Sequence, residues 1–331
     1  MSSMFVIGRI CRSLVCAGIF LIAVCGCRNN SKPTPDPKAT DEAPVTELGL
    51  PEVPDSLVSP ESRADYAIFH YWDDMDFADT TLSLDTAFME QNFVNYIQLY
   101  DYASEGGRAT GTERLMTGAG VSEPTYRFLT DIAERYLTDP NSPMRHEEYF
   151  LLFIHEINGD EVFSPAEKTR YEYLKAQILK NRPGTVGADF AFIDRAGKRR
   201  RLDDAVKGTA YTLLLFYDYD CETCATVEQE MMEDPVLNSA TASGLVHVVA
   251  VNVFGDDLTK WERHSATLPK GWTVGYSPGC EVVEKEIYGI NAAPTLYLLD
   301  AGRNVILKDV PLQMASSVLE WLMTDANQAH P

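Results

Sequence analysis

Cys221-Glu222-Thr223-Cys224 stands just behind the strand-like run Tyr211-Thr-Leu-Leu-Leu-Phe-Tyr217. That order puts two thiols, two residues apart, at a strand-to-helix junction, where a small disulfide ring can close and reopen. About seventy residues later comes Ala292-Ala293-Pro294-Thr295, and an X-Pro bond there can be cis. If cis, Pro294 aims the Ala293 backbone at Cys221 and offers main-chain hydrogen bonds to an extended substrate. The alternative is an ordinary strand-starting proline. Free N–H groups and the dipole at a helix start favour a thiolate, so Cys221 is expected to be the exposed nucleophile. Cys224, one turn on, is expected to face inward and attack the mixed disulfide, releasing the substrate.

Two other uses of the pair compete with thiol–disulfide exchange. A structural staple gains little from so short a loop, because closing it removes little entropy from the unfolded chain. A zinc half-site needs a second pair of ligands, and only Cys280, His247 and His264 are at hand. The redox reading is favoured, with the Cys221–Cys224 dithiol as the redox group, no metal and no dissociable cofactor.

The amino terminus says where such chemistry would occur. Arg9 and Arg12 flank the start of an apolar run, Leu14 to Val24, too short for a comfortable membrane span. It ends in Val24-Cys25-Gly26-Cys27, which resembles a bacterial lipobox. Residues 1–26 are therefore expected to be a lipoprotein signal peptide and Cys27 the lipidated residue. An ordinary secretory signal or a short anchor helix is the alternative. Of seven cysteines, Cys11, Cys16 and Cys25 would leave with the signal and Cys27 would carry lipid, which leaves Cys221, Cys224 and Cys280 in the folded part. The expected location is the cell envelope, lipid-anchored and facing the oxidising periplasm. Arg28, where inner-membrane lipoproteins commonly carry aspartate, favours the outer membrane over the inner. A formal charge of −21 disfavours nucleic acid and anionic headgroups as partners.

Residues 27–60, with Pro33, Pro35, Pro37, Pro44, Pro51, Pro54 and Pro60, lack the apolar surface to order themselves and read as a tether. From 61 to 181 the period is helical. Met89, Phe93, Tyr96, Ile97 and Tyr100 share one face, as do Tyr126, Leu129, Ala133 and Tyr136, and Phe150, Phe153, Ile154 and Ile157. Ser164-Pro165-Ala166-Glu167 is a capping box opening a further helix with stripe Tyr171, Leu174 and Ile178. Glu105-Gly-Gly-Arg108 and Asp139 to Pro143 read as loops. Four or five helices are expected.

At Asn181-Arg-Pro-Gly184 the period changes. A hairpin over 190–202 precedes strand 211–217, a helix from about 221 to 232 and strand 245–253. A less clear segment runs from Trp261 to Trp272, then a helix near 281–288, strands 295–300 and 304–308, and a last helix around 313–324. The expected fold class is an α/β thioredoxin fold over 182–331, preceded by an all-α helical domain over 61–181.

Residues 182–331 resemble a thioredoxin-fold domain of the TlpA/ResA type. The resemblance rests on Gly187-Ala-Asp-Phe190, on Asp218-Tyr-Asp-Cys221-Glu-Thr-Cys224 and on Ala293-Pro294-Thr295. Residues 61–181 resemble the helical domain of unknown function that precedes such domains in some Gram-negative lipoproteins, most clearly at Tyr136 to Arg145. The resemblance also marks departures. An aromatic residue usually precedes the first cysteine, and here it is Asp220. Val227 stands where many such proteins place a helix glutamate, with Glu228 one step round, and Leu215 stands where thioredoxins bury an aspartate. The usual proton relay is absent or moved.

The expected function is reduction or isomerisation of disulfides in exported proteins, with electrons from a membrane thiol donor. Asp218, Asp220 and Glu222 surround Cys221 with negative charge, which opposes a thiolate and argues against a disulfide-forming oxidant. The competing reading, a binding lipoprotein that keeps the fold as scaffold and recognises a partner through its helical domain, follows from the displaced relay. Other features read as structural: Cys280 as a buried small hydrophobe ahead of a third redox thiol or a dimer cross-link, Lys198 to Arg201 as a solvated edge, and His70, Trp72, Asp73 and Asp74 as packing. Trp261 and Trp272 are as suited to core packing as to rimming the groove.

Overall fold

The computed structural model describes residues 47–328. The expected signal peptide, Cys27 and the tether up to residue 46 lie outside the described residues. Spatial contacts divide the chain between Tyr171 and Glu172, so the two units are described separately. Among the described residues no helix is long and apolar enough to cross a membrane.

The first unit holds α1 (Pro60–His70), α2 (Thr80–Ser83), α3 (Thr86–Gln98), α4 (Glu105–Ala119), α5 (Glu123–Thr138), α6 (Glu147–Gly159) and the start of α7 (Pro165–Leu179). Ser59, Asp79, Asp85, Ser104 and Ser122 each cap a helix by accepting a first-turn N–H. The capping box before α7 closes in both directions. Ser164 donates to Glu167 from its N–H at 2.8 Å and its hydroxyl at 2.7 Å, and Glu167 N–H donates back at 3.4 Å. The stripes of α3 and α6 are buried throughout.

Two expectations need correction here. Helices outnumber the four or five expected, and Glu105-Gly-Gly-Arg108 is the first turn of α4 instead of a loop. The glycines are there for contact: a Cβ on Gly107 would sit 2.0 Å from Asp65 Oδ1, and one on Gly111 2.0 Å from Ile68 Cγ2. Ser104 donates to Asp65 from its N–H and its hydroxyl, both at 2.8 Å, which pins α4 to α1. Leu48 N–H, within the stretch read as tether, donates to Asn92 Oδ1 at 2.7 Å. Proline-rich chain without a core of its own can still be held by side chains of a neighbouring helix.

The second unit is built on β1 (Ala191–Asp194), β2 (Arg199–Arg201), β3 (Tyr211–Tyr217), β4 (Val246–Asn252), β5 (Thr273–Tyr276), β6 (Thr295–Asp300) and β7 (Val305–Lys308). Their order in the sheet is β2-β1-β5-β4-β3-β6-β7. β3, β4 and β5 run parallel, and the remaining pairs are antiparallel. The helices are α8 (Leu202–Ala205), α9 (Glu222–Glu233), α10 (Pro235–Ala242), α11 (Leu258–Ser265), α12 (Glu281–Glu284) and α13 (Leu312–Gln328). The unclear segment from Trp261 to Trp272 thus begins inside α11 and leads into β5. The helix near 281–288 stops at Glu284, and Glu286 takes a left-handed φ of 47°.

β3 is central and covered on both faces, which is why it reads as an unbroken apolar run. Leu213, Leu215 and Tyr217 enter one core with Cys224 and Met231 of α9. Leu214 and Phe216 enter the other with Phe190, Phe192 and Tyr288. The carboxyl ends of parallel strands are where open α/β sheets present chemistry, and β3 ends three residues before Asp220-Cys221 completes the junction.

Candidate active site

The turn from β3 into α9 is held by its own backbone and by β4. Cys221 N–H donates to Asp218 O at 3.2 Å, and Tyr219 N–H donates to Asn252 Oδ1 at 3.2 Å. Tyr219 OH in turn accepts from Asp257 N–H at 3.1 Å. Gly255 permits that approach: its φ is +71° and a Cβ would lie 2.4 Å from Tyr219 OH.

Cys221 is the N-cap of α9, its Sγ accepting from Cys224 N–H at 3.2 Å. An N-capping sulfur faces free amide hydrogens, the arrangement that holds a sulfur anion. Its thiol also donates to Ala293 O at 3.6 Å, and the Ala293–Pro294 peptide is cis. Cys221, Ala293 and Pro294 are half-buried. Thr295 is buried, pairs with Phe216 in the sheet and donates from its hydroxyl to Ala292 O at 2.7 Å. Cys224 is fully buried. Burial pushes its thiol well up, the hydrogen bond with Cys221 adds to this, and the Asp218 backbone opposes it. Cys221, Cys224 and Cys280 all carry free thiols.

A polar group lies behind the pair that sequence reasoning left unassigned. Glu228 of α9 is only 3% exposed. His264 Nε2 of α11 lies 3.1 Å from its Oε1 and 3.0 Å from its Oε2. The imidazole stacks on Tyr217 at 5.3 Å, and Trp261 Nε1 donates to Tyr217 OH at 3.2 Å. The signal available in sequence is spacing, since Glu228 is four residues after Cys224 and so on the same helix face. The positions compared earlier are apolar here: Leu215 is buried and Val227 packs half-buried against the same core.

The acidic collar is less uniform than its local sequence. Lys260 Nζ of α11 lies 2.6 Å from Asp220 Oδ2. Cys280, expected to be buried, is only half-buried, on a backbone with φ +53°, and its thiol is raised first by burial and then by Asp256 and Glu284. Trp261 is buried and Trp272 half-buried against the core. On exposed β2, Arg200 pairs with Asp194 and Arg201 with Asp189. In the helical unit Trp72 is buried, and Asp73 pairs with His70 and Arg114, both at 2.6 Å. Among the described residues no three His, Cys, Asp or Glu side chains are placed to share a metal ion.

The chain is similar to a thioredoxin-like protein from Bacteroides caccae, at 28% identity. The likeness covers 82% of this chain and 98% of that one, with a TM-score of 0.76. The α/β unit has a thioredoxin-like fold. Likenesses confined to 42% of this chain are to the C-terminal domain of an uncharacterized protein from Bacteroides fragilis (32% identity, 98% of that chain, TM-score 0.40) and to the thioredoxin domain of a thiol-disulfide oxidoreductase from Bacteroides vulgatus (20% identity, 96% of that chain, TM-score 0.37), also over 42% of this chain. The family model for a domain of unknown function, DUF5106, matches residues 26–181. No curated protein matches the chain. Within the thioredoxin-like fold, the β3–α9 junction and the start of β6 bring Cys221, Cys224 and Ala293 to one place.

Proposed function

We propose that the protein is a lipid-anchored thiol–disulfide oxidoreductase of the cell envelope that reduces or isomerises disulfides of exported proteins. One observation carries this reading: the Cys221 sulfur caps α9, 3.2 Å from Cys224 N–H and 3.6 Å from Ala293 O, with a fully buried thiol one turn behind it. Cys221, as thiolate, attacks a substrate disulfide, and one substrate sulfur leaves and takes a proton. Cys224 then loses its proton and attacks Cys221 Sγ, and the second substrate sulfur leaves. Two electrons pass to the substrate, and the protein is left with a Cys221–Cys224 disulfide. A membrane thiol carrier returns it to the dithiol.

The kinship with TlpA/ResA-type lipoproteins, lipid on Cys27 and an outer-membrane, periplasm-facing site belong to the same proposal and rest on the sequence. So does the direction of electron flow. Strong oxidants hold a stabilised thiolate in their reduced form, whereas Asp218 and Glu222 set negative charge beside this pair and Cys224 is held protonated by burial.

Insulin-disulfide reduction with several thiol donors tests the reading. The wild-type chain should reduce insulin and Cys221→Ser should not. A wild type as inactive as the variant would leave a non-catalytic scaffold whose helical unit recognises a partner. A reduction potential near the strongly oxidising extreme would reverse the assigned direction.

A further inference from the structure

We infer that Asp220 and Lys260 form a charge clasp on the rim of the redox site, and that the clasp selects disulfides carried on basic polypeptide segments. A lysine or arginine beside the substrate cysteine takes the place of Lys260 at the Asp220 carboxylate. This deepens the proposed exchange reaction and rests on Cys221 being its nucleophile.

The pair has no structural task that explains it. Cys221 is the N-cap of α9, so Asp220 stands one residue outside the helix. Its carboxylate meets Lys260 Nζ at 2.6 Å, and both side chains are more than half exposed. Exposed pairs of this kind contribute little to stability. A carboxylate beside a nucleophilic sulfur also opposes the thiolate that the helix start favours. A charge that hinders the nucleophile and adds little to the fold is accounted for by what comes to the sulfur.

The amine is held in place. Lys260 N–H donates to Asp257 Oδ1 at 3.1 Å, Asp257 N–H donates to Tyr219 OH at 3.1 Å, and Lys260 Nζ lies 5.9 Å from the centroid of the Tyr219 ring. The first turn of α11 is thus tied to the turn that carries Cys221. Further carboxylates stand around it. Glu222 follows Cys221, Asp218 Oδ1 accepts from Asp220 N–H at 3.0 Å, and Asp256 adjoins Gly255, which packs on Tyr219. Asp218, Glu222 and Asp256 form no ion pair among the described residues. Their field extends to the start of α12, where burial first, and then Asp256, Glu284 and Asp218, push up the Cys280 thiol. One amine therefore offsets several carboxylates, and an arriving basic side chain meets a negative rim.

The mixed disulfide fixes the reach. Cα atoms joined by a disulfide lie about 4.4–6.8 Å apart and chain neighbours about 3.8 Å. Ala293 O, 3.6 Å from Cys221 Sγ, is a main-chain acceptor for an extended segment. A residue next to the substrate cysteine is thereby carried within the span of a lysine or arginine side chain from Asp220. The chemistry is unchanged. The Cys221 thiolate attacks one substrate sulfur, the bond between the two substrate sulfurs breaks, and the departing sulfur takes a proton from solvent. The clasp acts on the encounter that precedes this step.

Three short peptides test the inference, each with one cysteine held in a disulfide with mercaptoethanol and flanked on both sides by lysine, glutamine or glutamate. They are mixed with the reduced full-length chain, and acid quench with mass spectrometry of the peptide spanning Cys221 and Cys224 reads the loss of free thiol. At low salt the lysine peptide should react at least about tenfold faster than the glutamate peptide, and the ratio should fall as salt is added. Asp220→Asn should lower that ratio at least about threefold, and Lys260→Gln should raise it. Glu230→Gln makes the same change of net charge at an exposed position of α9, about 13 Å further along the helix axis, and should leave the ratio at its wild-type value. A ratio unchanged in Asp220→Asn or in Lys260→Gln, or lowered as far by Glu230→Gln, would overturn the clasp. A glutamine peptide that fails to react with the wild-type chain is a distinct result, which removes the exchange reaction and the clasp with it.

Discussion

Lys260 Nζ lies 2.6 Å from Asp220 Oδ2, so α11 sets a cation against the acidic residue just before Cys221. Both side chains are more than half exposed, and such pairs add little to stability. Their charges still act on what approaches the sulfur. Lys260→Gln is expected to leave the thermal midpoint unchanged while slowing reaction of Cys221 with an anionic disulfide relative to a cationic one. The gap should shrink as salt is raised. Rate constants for glutathione disulfide and cystamine at low and high ionic strength measure this, and equal effects on both would remove the electrostatic role.

Gly111 faces α1 so closely that an added Cβ would meet Ile68 Cγ2 at 2.0 Å and Tyr96 OH at 3.0 Å. Alanine would gain up to about 1 kcal/mol in helix propensity. Overpacking of this kind typically costs about 1–3 kcal/mol, so Gly111→Ala should be net destabilising. Gly106→Ala, in the same helix with only Ser104 Oγ near at 3.8 Å, should be neutral or stabilising. Urea unfolding of the two variants checks the contrast, and matching shifts would refute it.

Burial holds the Cys224 thiol well above its ordinary 9.0. Below that pH both folded and unfolded chains keep the proton. Above it the unfolded chain sheds the proton first, so the stability of the reduced protein falls as pH rises. The loss should approach about 1.4 kcal/mol per pH unit. Cys224→Ala should lack this component. Denaturation of reduced wild type and variant across the alkaline range tests it, and parallel pH curves would contradict it.

If Cys27 carries the lipid, Cys27→Ser should abolish incorporation of labelled palmitate and move the protein out of the membrane fraction. Label that persists in the variant would place the modification elsewhere.

Much of the fold was legible in sequence because apolar periodicity reports which face of an element is buried. The stripes of α3 and α6 and the two-sided run of β3 follow directly from it. The loop reading of Glu105 to Arg108 failed because glycine has two uses, turning a chain and letting helices touch, and local sequence does not tell them apart. Gly107 and Gly111 serve the second, against Asp65 and Ile68.

By itself the sequence determined the long helices and most strands, though not β5, α2, α8 or α10, together with the change of architecture near Asn181 and a CxxC at the start of a helix with an X-Pro downstream. These are local properties, set by residue type and spacing along one element. The tertiary structure alone decided what stands against that pair. Ala293 O reaches Cys221 across 72 residues, Lys260 reaches Asp220 across 40, and His264 reaches Glu228 across 36. Periodicity shows that a face is covered and is silent on which element covers it. Glu228, which in the sequence is only an acidic residue one turn beyond Cys224, became a buried carboxylate facing the His264 imidazole only once α11 was packed against α9.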